Sequence, residues 1–191
     1  MYYKNNKYLV HINFLKMKIV ITNASHIAFV AQICETIESA AIQRGTGIGK
    51  RDPKKIEQVI TDGHAVIALT EDNRFAGFCY LQIWSEGTQI SHSGLIVAPE
   101  FRKQGLALQI KQAAVELVQQ KYPDATIFGI TTNLHVMNIN TALGYKPTTF
   151  AQITQESAFW EQCKSCPNFD VLQRTNNRMC LCTAMILEKV A

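Results

Sequence analysis

The period of apolar positions along the chain changes several times, and each change marks an element. "MKIVITNA", residues 17–24, is an apolar run that reads as a short strand and ends on a capping residue. After it Ile27, Val30, Cys34, Ile37 and Ala41 recur at three- and four-residue steps, the spacing of one helix face, with Asn23 or Ser25 placed to cap it. "RGTGIGKRDP", residues 44–53, reads as a loop, and Asp52 followed by Pro53 opens a second helix whose Ile56, Val59 and Ile60 share a face. "AVIALT" (65–70), "RFAGFCYLQIW" (74–84) and "QISHSGLIVA" (89–98) are β-rich runs joined by the turn sequences EDN and SEGT, which predicts a three-strand meander. A third helix begins near Gln104, with a stripe of Leu106, Ile110, Ala113, Ala114, Leu117 and Val118, and stops before Pro123. "ATIFGITT" (125–132) is short enough to be a strand buried on both faces. "HVMNINTAL" (135–143) is a short helix ended by Gly144, and "YKPTTF" (145–150) returns as a strand. "MCLCTAMIL" (179–187) supplies the last strand, with Phe159 and Trp160 expected to cover its edge. The order of elements predicts an α/β fold, a mixed sheet with helices against its faces.

Composition narrows the picture. A chain of 191 residues, 47% hydrophobic, can bury one sizeable core but is short for two full domains. Lys and Arg exceed Asp and Glu by only +4, and the basic residues are scattered, which argues against nucleic acid as a partner. No apolar run approaches the ~20 residues that span a bilayer, so no membrane partner is expected. Six cysteines accompany no secretory leader, because His11 and Asn13 interrupt the stretch from Leu9 to Leu15; a reducing, cytoplasmic setting is expected. Residues 1–16 read as an N-terminal extension ahead of a second plausible start at Met17.

The chemistry concentrates at "VAPEFRKQGLALQIKQAAVELV", residues 97–118, where a strand feeds a glycine-containing turn and then a helix. Such a junction leaves backbone N–H groups pointing together and attracts phosphate. Arg102 and Lys103 add positive charge, Gly105 removes a Cβ from the anion's path, and Ala107 keeps the next turn thin. "RKQGLA" has the spacing R-x-x-G-x-A, and here the chain resembles the GNAT superfamily of acyl-CoA-dependent N-acyltransferases, whose pyrophosphate loop is Q/R-x-x-G-x-G/A. "LIVAPEF" before it is similar to the family's lead-in. Asn133, Val136, Ile139, Gly144 and Tyr145 follow the spacing of the family's second signature, N-x-x-A-x-x-L-Y-x-x-x-G-F. The resemblance covers about residues 17 to 150 in element order.

That resemblance implies a mixed, mostly antiparallel sheet of about seven strands, splayed between strands four and five, with helices on both faces. It places a GNAT domain at 17–152 and leaves 153–191 as a cysteine-containing C-terminal extension that completes the sheet. It implies acetyl-CoA, or a close acyl-CoA, as the acyl donor. Leu95, Ile96 and Val97 would offer backbone to the pantetheine arm, and a Val97 amide could receive the developing oxyanion. Arg102, Lys103, Gln104, Gly105, Leu106 and Ala107 would cradle the pyrophosphate. Asn133 would lie where the arm enters, and Gly94 is a suitable place for the bulge that opens the sheet. Where much of the family has a tyrosine that serves the departing sulfur, this chain has Asn140. An amide can donate a hydrogen bond there but is no practical proton donor.

Acyl transfer to an amine needs a free lone pair, hence a base. His92, two residues before Gly94, has a suitable unperturbed pKa; a partly exposed surface histidine is the competing reading. Glu86 and His135 are weaker choices. "RGTGIGKR" fails as a nucleotide loop, since it follows a helix and has Arg51 where Ser or Thr is needed. It is a segment that could build the acceptor wall, with Arg44, Lys50 and Arg51 gripping a carboxylate. A small-molecule amine is the expected partner, an amino acid such as glutamate if that grip forms, as in the members labelled N-acetylglutamate synthase. A homodimer is left open. Cys163-x-x-Cys166 and Cys180-x-Cys182 are read as packing residues rather than a metal site, the second pair with both sulfurs on one strand face. A non-catalytic acyl-CoA sensor and a metal-organised interaction module are the alternatives.

Overall fold

The computed structural model describes residues 17–188; the extension at 1–16 lies outside them. In chain order the elements are β1 (Met17–Ile21), α1 (Val30–Arg44), α2 (Pro53–Thr61), β2 (Ala65–Thr70), β3 (Phe75–Trp84), β4 (Gln89–Val97), α3 (Leu106–Lys121), β5 (Thr126–Thr131), α4 (Leu134–Ala142), β6 (Lys146–Thr148), α5 (Ser157–Glu161), α6 (Phe169–Arg174) and β7 (Thr183–Leu187). Local chemistry sets most boundaries. Asn23 accepts from the Ser25 amide and starts a 3-10 turn at Ala24–Phe29 that leads into α1. Gly45, with φ of 65°, ends α1 in the left-handed region. Asp52 accepts from the Lys54 amide with Pro53 in the first turn of α2.

The strands form one seven-stranded sheet in the order β1-β2-β3-β4-β5-β7-β6. Neighbours run antiparallel except β4 and β5, which run parallel. The mixed sheet expected from the sequence is therefore present. β7 lies between β5 and β6, so it has no open edge for Phe159 and Trp160 to cover. Those two side chains sit on α5 and are buried with Ala184 of β7 and with Phe128 and Trp84. The last strand begins at Thr183, so Cys180 and Cys182 occupy the preceding loop and not a strand face. "YKPTTF" also shortens, to three strand residues followed by a 3-10 turn at Phe150–Gln152.

β2 is buried at every position and β3 at eight of its ten in succession or alternation of neighbours on both sides, because helices cover the two faces. Strand parity assigns them. Cys79 faces Lys111 of α3, whereas Tyr80 lies against Ile37 of α1 near Gly94. The segment carrying α5 and α6 shares the α1 face, where the Trp84 indole donates to Ser91 Oγ at 2.8 Å and packs edge-on against Phe159.

Two features of β4 position the site. Its pairing with β3 runs Tyr80↔Ser93 and then Phe78↔Ile96, so β4 holds one extra residue and Gly94 and Leu95 form a bulge. Gly94 has φ of 63°, and a Cβ there would stand 2.6 Å from the Tyr80 ring. Replacing Gly94 with Ala combines left-handed strain with overpacking, and is expected to destabilise the fold by about 2–4 kcal/mol, read as a lowered midpoint in urea unfolding.

Candidate active site

The site begins where β4 and β5 part. They are in register for three pairs, Gln89–Ser91 with Thr126–Phe128, and diverge from His92 onward. Leu95 and Gly94 then have no registered partner on β3 either, so main-chain groups of the bulge face an opening rather than a strand. A cavity of about 210 Å³ passes through it. Its wall includes Ser91 and Ser93 of the α1 face together with His92, Lys111 and Asn140 of the α3 face, so it connects the two sides of the sheet.

On the α1 face the wall is held by a chain of hydrogen bonds. Ser93 Oγ donates to Gln82 Oε1 at 2.7 Å, and Gln82 Nε2 donates to Gln162 Oε1 at 2.9 Å. The loop after α1 crosses toward β5, where Thr46 Oγ1 meets Thr132 Oγ1 at 3.0 Å. Arg44 and Arg51 both line the cavity; Lys50 is exposed and does not. Arg51 Nη1 donates to the Ile48 carbonyl at 2.7 Å, while its buried Nε meets no partner among the described residues. Burial, reinforced by the nearby Arg102 charge, lowers the Arg44 pKa. No Asp or Glu lines the cavity among the described residues. The two ion pairs among them, Arg74–Asp72 and Lys164–Glu161, lie elsewhere on the surface.

On the α3 face His92 is 9% exposed, which removes the surface-histidine reading. Its Nδ1 lies 3.1 Å from the Tyr145 hydroxyl, and its Nε2 has no hydrogen-bond partner among the described residues. Desolvation, with the Lys111 charge beside it, pushes the His92 pKa well below its usual value. Burial raises the Tyr145 phenol well above its own. Asn140 is 2% exposed. Its Nδ2 donates toward Met185 Sδ at 3.6 Å, and its Oδ1 is buried without a partner. Lys111, absent from the sequence reading, is 3% exposed and stands 5.1 Å from the centre of the Tyr145 ring. Its signal was a lysine in helical register with Ala107, Ala114 and Val118 on an otherwise apolar face. Glu86 and His135 are exposed and lie off the cavity.

The pyrophosphate candidates lie outside this cavity, at the start of α3. Gly105 has φ of 76° and open space where a Cβ would be, and its carbonyl takes the Leu108 and Gln109 amides. First-turn amides of a helix have no carbonyl behind them to bond, so those after Gly105 point outward. Arg102 Nε donates to the Val97 carbonyl at 3.0 Å, which ties the loop to the end of β4. Lys103 takes φ of 62°, and Lys103 and Gln104 are exposed beside it. Leu106 is buried and anchors α3, with Ala107 half-buried. Of the three β4 residues expected along the pantetheine arm, Leu95 and Ile96 line the cavity, as does Asn133, which caps α4 by accepting from the His135 amide. Val97 does not line it; it is registered opposite Gly77.

A cradle of open amides, two cations and a split strand pair suits a pantetheine diphosphate, and residues 43–142 match the model of the acetyltransferase (GNAT) family. The chain belongs to that family. Residues 43–142 are thus its acetyltransferase (GNAT) segment. Solved GNAT structures share the fold. N-acetylglutamate synthase of Neisseria gonorrhoeae, complexed with coenzyme A and N-acetyl-glutamate, superposes with a TM-score of 0.64 at 13% identity, over 92% of this chain and 36% of that one. The chain thus spans about a third of that enzyme. The yncA protein of Salmonella typhimurium, with its cofactor acetyl-CoA, gives 0.62 at 13% identity over 92% and 95% of the two chains. The ribosomal-protein-S18-alanine N-acetyltransferase of Escherichia coli gives 0.59 at 11% over 92% and 96%. No characterised protein matches the chain by sequence. No helix among the described residues is long and apolar enough to cross a membrane.

The four C-terminal cysteines also reach the cavity wall. Burial, with the neighbouring cysteines, raises the Cys163 thiol to about 11 and the Cys182 thiol to about 12. Cys163 and Cys182 are thereby held as thiols at neutral pH, and no three His, Cys, Asp or Glu side chains are grouped as metal ligands among the described residues. Tyr145→Phe would leave His92 Nδ1 without its partner in a buried place. The expected loss is about 1–3 kcal/mol of folding stability, measured by urea unfolding.

Proposed function

We propose that this GNAT enzyme acetylates the amine of a small acidic acceptor, an amino acid such as glutamate. The observation that carries this is the charge of the cavity wall: among the described residues Arg44, Arg51 and Lys111 line it, no carboxylate does, and the buried Arg51 Nε has no partner. A part-buried guanidinium with an unpartnered N–H favours a carboxylate ligand, bound through charge-assisted hydrogen bonds. A polycationic acceptor would meet like charge throughout. The S18-alanine acetyltransferase and the glutamate synthase share this fold, so the acceptor is decided by such side chains and not by architecture.

In this reading Arg102 to Ala107 hold the pyrophosphate, with Gly105 and the first-turn amides carrying most of the contact. The main chain of Leu95 and Ile96 lies along the pantetheine arm, and the Leu95 amide, in a bulge on the cavity wall, is better placed than that of Val97, which is off the cavity, to receive the thioester oxyanion. Asn133 and Asn140 flank the entry, Asn140 with an amide to offer the sulfur. The acceptor comes from the α1 face past Arg44 and Arg51; Lys50, off the cavity, is left out of the grip. His92 accepts the amine proton, directly or through water. It is the imidazole on the wall, and desolvation keeps it neutral at pH 7 and able to accept.

Release of coenzyme thiol, followed across a panel of amino acids and polyamines with acetyl-, propionyl- and succinyl-CoA, is expected to show turnover with glutamate or aspartate and little with polyamines. Preferred turnover of polyamines would overturn the acceptor assignment. Arg51→Gln is expected to raise the acceptor KM about 10- to 100-fold while the KM for acetyl-CoA stays within about threefold. For His92, the folded pKa is depressed, so the base is lost only as pH falls well below 6.5. The acid limb of kcat/KM should accordingly lie below that value, and His92→Gln should lower kcat about 10²-fold and abolish the limb.

A further inference from the structure

We propose that Lys111 delivers the proton to the departing coenzyme sulfur, the task a tyrosine at position 140 would otherwise serve. The inference rests on what surrounds two side chains. Asn140, at the place of the tyrosine, is fully enclosed, bonds weakly to Met185 through Nδ2, and has no proton of useful acidity. Lys111 reaches the same cavity from the inner face of α3, 3% exposed, on a wall it shares with Asn140 and with Leu95 and Ile96 of the bulged strand. A lysine in that position is costly to bury, and no carboxylate among the described cavity residues offsets the cost. Its ammonium stands over the Tyr145 ring at 5.1 Å, an interaction that holds a cation without taking its protons. The ammonium protons are therefore left free to face the opening.

The groups facing Lys111 are His92 from β4, Cys79 from β3 and Tyr145 after α4. Cys79 is held as a thiol by burial, with a pKa of about 11, and donates toward the Ser93 carbonyl at 3.6 Å. Tyr145 keeps its proton. His92 is kept neutral. Lys111 is the one cation among these four, and desolvation lowers it to about 8, so it is charged at pH 7 yet acidic enough to give up a proton. The step balances. The acceptor nitrogen forms the C–N bond, the C–S bond breaks with its electron pair on sulfur, and an Nζ proton moves to that sulfur to give free thiol. The neutral amine of Lys111 is then reprotonated by the proton the acceptor nitrogen has lost, through His92 or water. His92 and Lys111, side by side with separated pKa values, thus take the base and acid parts of one transfer. The assignment holds for any amine acceptor and does not depend on the acceptor being acidic.

The test compares wild type with Lys111→Met, which fills the same space without charge and is expected to fold at least as stably by urea unfolding. Two readouts are decisive. First, the ultraviolet thiolate absorbance of bound coenzyme A is titrated; a neighbouring ammonium should make the bound thiol titrate at least about one pH unit lower in wild type than in the variant. Second, kcat at saturating substrates should fall about 10²-fold in the variant with the acetyl-CoA KM within about threefold. The wild-type to variant ratio should also decline as pH rises through about 8, where the lysine loses its charge. Lys111→Arg keeps the charge but not the acidity, and should restore the thiol titration without restoring kcat. Equal thiol titrations in wild type and Lys111→Met, or a kcat ratio that is near one or independent of pH, would overturn the proposal. Failure of the wild type to bind coenzyme A would instead overturn the coenzyme site itself, and with it this role.

Discussion

Two parallel strands that share three registered pairs and then separate are the constraint on which this molecule is organised. Parallel pairing is normally continuous, because each strand edge carries amides and carbonyls that need partners. Beyond Ser91 and Phe128 that requirement is left to something other than β5. The bulge at Gly94 and Leu95 makes the separation permanent by turning β4 out of register with β3 at the same level. Tyr80 fills the space where a side chain at 94 would go, so packing on the α1 face and the opening of the sheet are one arrangement. An extended ligand arm that offers amide groups of its own fits such an opening as a strand would.

The same opening decides the electrostatics. Because it connects the two faces, the cations of α1 and its loop and the cation of α3 act on one enclosed volume that contains no carboxylate among the described residues. In a water-poor cavity a missing counter-charge is felt strongly. Near α3 desolvation, with the Lys111 charge added to it, suppresses protonation of His92; near α1 the Arg51 Nε has no partner among the described residues. Arg44, close to Arg102, links this field to the turn that starts α3. An anionic donor and an acidic acceptor would each neutralise part of the excess.

Much of this was legible in the sequence where a residue has one physical job. Asn23 and Asp52 cap helices because a short polar side chain can satisfy a first-turn amide. Gly94 and Gly105 adopt positive φ, one in the β4 bulge and the other at the start of α3. Legibility failed where a job depends on neighbours distant in sequence. Lys50 and Arg51 are adjacent, yet the Ile48 carbonyl turns Arg51 inward and leaves Lys50 in solvent. Cys180 and Cys182 look like strand residues from composition, but β7 starts at Thr183, opposite Thr131 of β5. Lys111 is written as one polar letter on an apolar stripe, and its place on a buried cavity wall appears only in the folded sheet.

The C-terminal segment carries the argument one step further. By inserting between β5 and β6, β7 satisfies the far edge of β5 over five registered pairs. That leaves the β4 side of β5 as the edge free to diverge. The same segment then doubles back over the α1 face, where Phe159 packs edge-on against Trp84 and Phe128, and Gln162 receives the hydrogen bond that positions Gln82 and, through it, Ser93. A split sheet without this cover would open its α1 face to water, weakening every charge interaction in the cavity. Phe159, Trp160 and Gln162 are therefore part of the cavity wall, and acceptor preference is expected to follow the shape of that aromatic wall as closely as the charges of α1.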